Sequence, residues 1–168
     1  MRGPWLDILH RQTPGPLGWD DILVGHDFAF LAPEEIQAWV RSAPITGEAA
    51  SRLASLRPDG LEGFEPALWA ACAEATGKVP RPGDRRWLAA QDRWRLAILK
   101  DLLATDLTSQ ALAVAIEALY ERVGCPEDML ALLSPSVAWA GKAAVVDPLA
   151  VAAFLQRHDR DADQVAWI

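Results

Sequence analysis

The sequence predicts an all-α fold: one compact multi-helix domain over residues 1–168, with about seven to nine short helices. Three observations carry this expectation. The 168 residues include about 18% Ala and 13% Leu, both strong helix formers, while β-branched residues are sparse. Apolar residues recur at helical spacing along much of the chain, and no segment alternates for long enough to make a strand. The stretches rich in Pro and Gly at 13–18, 57–63, 77–83 and 134–141 are too short to separate domains. With 51% hydrophobic and 23% charged residues, the chain has the composition of a folded protein rather than a disordered one.

The elements follow in order. A helix is expected over 19–24. Pro33-Glu34-Glu35 opens the next, since proline suits the first helical position and acids suit the helix dipole. Ile36, Trp39, Val40 and Ala43 then fall at i, i+3, i+4 and i+7. Further helices are expected over 48–56 and 65–75. The longest runs from Asp84 to about Leu103, with Trp87, Trp94, Ile98 and Leu102 along one stripe. Leu112, Ile116, Leu119, Tyr120 and Val123 form the cleanest stripe, stopped by Gly124, which tolerates the left-handed conformation of a helix end. Pro126-Glu127-Asp128 reopens a short helix through Leu133, closed by Ser134-Pro135. Asp147-Pro148 starts the last, with Val151, Phe154, Leu155 and His158 on one face.

Eight tryptophans is a high count for this length. Trp39, Trp87 and Trp94 lie on apolar stripes and are expected in the core. Trp5, Trp139 and Trp167 lie outside them, and one of these is the candidate exposed anchor.

The chemistry-bearing residues give no catalytic set. His10, His26 and His158 do not share a helical face at ligand spacing, and His158 is expected near a helix end, where the carbonyls favour a cation. No nucleophile elbow, phosphate loop or dinucleotide fingerprint occurs. Cys72 and Cys125 are too few for a zinc site or disulfide scaffold and are expected as small core residues. Asp159, Asp161 and Asp163 alternate as in a calcium loop, but Gln164 stands where that loop needs glycine, and a solvated acidic segment is expected instead. Asp20-Asp21 and Glu34-Glu35 read as helix-opening acids. No metal, cofactor or catalytic residue is expected.

The formal net charge is −7. That sign disfavours nucleic acid and anionic lipid and favours a basic protein partner. Lys78, Arg81, Arg85 and Arg86 form one local positive cluster. The opening residues lack a signal-peptide pattern and no stretch is long enough to span a bilayer, so a cytoplasmic protein is expected.

Two stretches carry a resemblance. Gly18-Trp19-Asp20-Asp21-Ile22-Leu23-Val24-Gly25, followed by Phe30-Leu31-Ala32-Pro33-Glu34-Glu35-Ile36, is similar to the opening of the bacterial domain-of-unknown-function family 2247. Residues 94–103 and 115–128, ending in Leu119-Tyr120 and then Pro126-Glu127-Asp128, resemble the family's Trp-bearing helix and the helix and turn after it. Cys125 stands where the family pattern has an aromatic residue, and Val123 where it has Phe. Read locally, Trp19 and Ile22 would pin the first helix, Gly25 would end it, and Pro126 would start the helix after Gly124.

The resemblance implies a helical protein without enzyme activity, similar to the small immunity proteins found beside polymorphic toxin genes. The expected function is therefore a non-enzymatic immunity protein that occludes the active site of a cognate, basic toxin; the alternative is a helical adaptor without a toxin partner. The candidate partner-binding residues are Asp20, Asp27, Glu34 and Glu35, then Asp159, Asp161 and Asp163, with Trp139 as the apolar anchor.

Overall fold

In the computed structural model, helices follow one another from Pro4 to Val165, and no strand occurs among the described residues. Those residues are 4–56, 63–133 and 145–165, with Pro4 and 160–165 described by backbone alone. The helices are α1 (Pro4–Gln12), α2 (Trp19–Asp27), α3 (Pro33–Ser42), α4 (Glu48–Ser55), α5 (Phe64–Thr76), α6 (Arg85–Ala104), α7 (Ser109–Arg122), α8 (Leu130–Leu133) and α9 (Pro148–Val165). A 3₁₀ turn at Glu127–Met129 leads into α8. The all-α expectation and its helix count hold for the described residues. Helix α1 is additional; its Trp5, Leu6, Ile8 and Leu9 recur at helical spacing, and Leu6, Ile8 and Leu9 are buried. The Ser134-Pro135 closure lies outside the described residues.

The chain divides into two compact units, Met1–Trp94 and Arg95–Ile168. The first contains α1–α5 and the opening half of α6. Helix α5 packs against α2 and α4, and α3 against α4. Its centre is aromatic: Phe30 stacks on Trp94 with ring centroids 5.0 Å apart, and Trp5 meets Phe30 in a tilted contact at 5.1 Å. Trp94 is fully buried and donates its indole N–H to the Asp21 carbonyl at 2.7 Å. That bond satisfies the one polar atom a buried tryptophan must place.

The helix-opening acids do what their position allows. Asp21 and Glu35 sit at the third helical position of α2 and α3 and accept the backbone N–H of Gly18 and Ala32, at 2.8 and 2.9 Å. Each thus satisfies a donor that would otherwise be orphaned at the helix start. Helix α4 is closed from outside. Glu74 of α5 accepts its opening N–H groups from Glu48 and Ala49, while buried Gln37 of α3 donates to the carbonyls of Leu53 and Leu56.

Gly25 does not end α2. The helix runs on to Asp27, and Gly25 lies inside it because a Cβ there would stand 2.5 Å from Cζ2 of Trp94. The chain leaves the helix through Ala29, whose φ is +54°. Phe30 and Ala29 donate their N–H groups back to the carbonyls of Gly25 and His26, a Schellman closure with alanine in the place glycine prefers. A left-handed alanine costs about 1–2 kcal/mol, part of which glycine returns as chain entropy. Since Ala29 is exposed, Ala29→Gly is expected to stabilise the protein by about 0.5–1 kcal/mol in urea unfolding. A loss of stability would show that the alanine methyl packs.

The second unit contains the rest of α6, then α7, the 3₁₀ turn, α8 and α9. Its core includes Leu99, Ile116, Val123, Met129, Val151 and Phe154. The Thr108 side chain caps α7 by accepting the N–H of Ala111 at 3.2 Å. At the other end Gly124 takes φ +81°, as expected of a helix stop. Cys125 follows at φ +57° and donates its N–H to the Tyr120 carbonyl. Cys72 is buried as expected, but Cys125 is exposed: the left-handed pair turns it out of the core.

Candidate partner-binding surface

The eight candidate residues fall into three groups. Asp20, Asp27, Glu34 and Glu35 belong to α2 and α3 of the first unit. Asp159, Asp161 and Asp163 belong to α9, and Trp139 lies outside the described residues. The aspartate run lies within the helix α9, with Asp161 and Asp163 described by backbone alone. Asp159 pairs with Lys100 at 3.0 Å.

Within the first unit, Asp20 and Asp21 bind α2 to α6. Asp20 holds Arg86 through two bonds, at 2.6 and 2.8 Å, and Arg86 also donates to the Lys78 carbonyl. The positive cluster is correspondingly diminished, because Lys78 itself pairs with Asp84 at 3.5 Å. Asp21 is fully buried and pairs with Arg93 through Oδ2, while Oδ1 has no partner among the described residues. Burial pushes the Asp21 carboxyl above its ordinary value near 3.8, against the pull of the Gly18 N–H and the Arg93 charge. A carboxyl raised by folding contributes most below its unfolded value and loses that contribution as pH rises through the folded one. The stability gap between wild type and Asp21→Asn is therefore expected to move towards the variant between pH 4 and pH 7, as read by urea unfolding. Movement the other way would mean that Arg93 outweighs burial.

Among the first unit's candidates, the exposed acids are Asp27 at the end of α2 and Glu34 at the start of α3. Asp27 lines a groove of about 330 Å³ with Leu23, Trp69, Val79, Pro80, Arg81, Pro82 and Trp87. Trp69 keeps 47% of its surface exposed, whereas Trp87 is buried against the edge of Phe28 at 5.7 Å. Among the described residues the exposed tryptophan is Trp69 on α5, while Trp5 is half-buried on Phe30; Trp139 and Trp167 lie outside the described residues. Sequence reasoning missed Trp69 because the surrounding Ala67, Leu68, Ala70 and Ala71 leave α5 with little contrast between its faces.

In the second unit, the ionic centre is Arg95, 4% exposed, which holds Asp128 by two bonds at 2.5 and 2.8 Å. His158 approaches the same carboxylate at 3.0 Å and packs on Phe154 at 4.5 Å. It lies well inside α9, so its place is set by Asp128 rather than by a helix end. No group of three or more His, Cys, Asp or Glu that could hold a metal occurs among the described residues.

These features define a helical protein most of whose described ionic pairs join its own helices. The chain belongs to the family described as an uncharacterized protein conserved in bacteria, domain-of-unknown-function family 2247, whose model matches residues 11–136. No curated protein and no solved structure matches it. Among the described residues, no helix is long and apolar enough to cross a membrane.

Proposed function

We propose that this chain is a non-enzymatic immunity protein that acts in the cytoplasm, binding a basic toxin domain and occluding its active site. The observation that carries the reading is the net charge of −7 together with carboxylates that remain at the surface, Asp27 and Glu34 among them, after the helix-joining pairs are made. Such a field speeds encounter with a cationic partner, and a toxin that acts on a polyanion presents its cations at the active site. The inward use of Asp20, Asp21 and Asp128 as ion-pair partners is in keeping with a binding role, since these acids position helices instead of a substrate.

The test is co-expression with the C-terminal domain of a secreted toxin encoded beside this gene. The expected result is a stable complex and protection of the host, with association that slows as salt rises. A neighbouring toxin domain that neither binds nor is neutralised would overturn the reading.

A further inference from the structure

The groove between α2, α5, the 79–82 segment and the start of α6 is lined by an exposed indole and an exposed carboxylate as well as by core residues. Trp69 lies half in solvent beside Asp27, while Pro80 and Pro82 stiffen the facing wall. None of the described residues forms an ion pair with Asp27. We propose that this groove seats a basic side chain of a protein partner, its cation held by the Asp27 carboxylate and by the indole of Trp69. The choice of a protein as the source rests on the function proposed above.

The chemistry favours a cation for three reasons. An indole face is the strongest aromatic partner for a guanidinium or ammonium group, and an exposed indole is available without repacking the core. Although Asp27 is exposed overall, partial burial of its carboxyl raises it above its ordinary value, a cost to the charged form that an incoming positive charge would offset. The two charges acting most on it are His26 and Glu65; Arg81 lines the groove but is not one of them. Glu65 adds a second negative charge near the seat, whereas His26 acts on Asp27 with the opposite sign and competes with an incoming cation. Arg81 opposes the ligand and becomes a reporter of its sign.

The test uses the full chain and capped amino-acid amides as probes, read by the indole N–H resonances of the tryptophans in NMR titration. Capped arginine and lysine amides are expected to give saturable shifts. Asp27→Asn and Trp69→Leu should each weaken binding about fivefold, the leucine keeping the apolar bulk while removing the aromatic face. Arg81→Gln should strengthen it. Both Asp27 and Trp69 are exposed, and unchanged melting temperatures would confirm that the variants fold. The proposal is overturned if the cationic probes do not saturate, if capped leucine amide binds as well, or if capped glutamate binds better and loses affinity in Arg81→Gln. No toxin is present in these titrations, so their failure leaves the immunity function standing. A missing toxin complex, conversely, leaves the cation seat to be judged by its own probes.

Discussion

Gly25→Ala is expected to lower the unfolding free energy by about 3 kcal/mol, at the upper end of what overpacking a core costs. The added methyl would meet Cζ2 and Cε2 of Trp94 at 2.5 and 2.9 Å and Cδ1 of Leu31 at 3.0 Å. The tryptophan ring cannot easily retreat. Trp94 is stacked on Phe30 and tied by its N–H to the carbonyl of Asp21, so moving the ring breaks a buried hydrogen bond as well as a contact. Alanine's better helix propensity, worth about 1 kcal/mol over glycine, acts in the opposite direction and is the smaller effect. A double-mutant cycle identifies the clash. Trp94→Phe removes the two ring atoms that the methyl would strike, so Gly25→Ala should cost at least 1 kcal/mol less in that background. Additive losses would place the strain elsewhere, at Leu31 or in the helix backbone.

The same glycine shows how far the sequence could be read. Helix existence was legible almost throughout, because apolar periodicity and proline starts are local signals. What Gly25 does was not local. Its spacing after Trp19 and Ile22 looks like a helix end, and its real role depends on a tryptophan brought in by α6. Asp20 and Asp21 carry the same lesson. Position alone makes them helix-opening acids, and Asp21 indeed caps Gly18, but their pairing with Arg86 and Arg93 is a tertiary fact. Arg95 went unremarked because one charged residue beside Trp94 on an amphipathic helix ordinarily reaches solvent. The approach of Asp128 helps to make its burial tolerable. Of the candidate surface, Asp27 and Glu34 were legible as exposed acids. The groove that gives Asp27 its setting was not, since it joins residues from four separate segments of the chain.

Arg95→Ala is expected to cost about 3 kcal/mol and Arg95→Met clearly less. Removing one member of a buried ion pair costs about 3–5 kcal/mol, largely because the other charge is left without compensation. The lower figure applies because Asp128 is 40% exposed and water screens it once Arg95 is gone. Arg95 also lies over the Phe154 ring, 5.9 Å from its centre, so alanine leaves a space beside that ring which methionine largely fills. The pH dependence separates the charge from the packing. Burial pushes the Asp128 carboxyl up, but the bonds and charge of Arg95, with His158 in support, outweigh it and hold the carboxyl below its ordinary value near 3.8. A carboxyl lowered by folding contributes stability that is present above its unfolded value and is lost as pH falls through the folded one. Wild type should therefore lose this contribution below about pH 4, where both Arg95 variants, already without it, fall less steeply. Urea unfolding at pH 7 and pH 3 measures both effects. Equal acid losses in wild type and variants would mean that the Arg95–Asp128 pair adds nothing to folding beyond its packing.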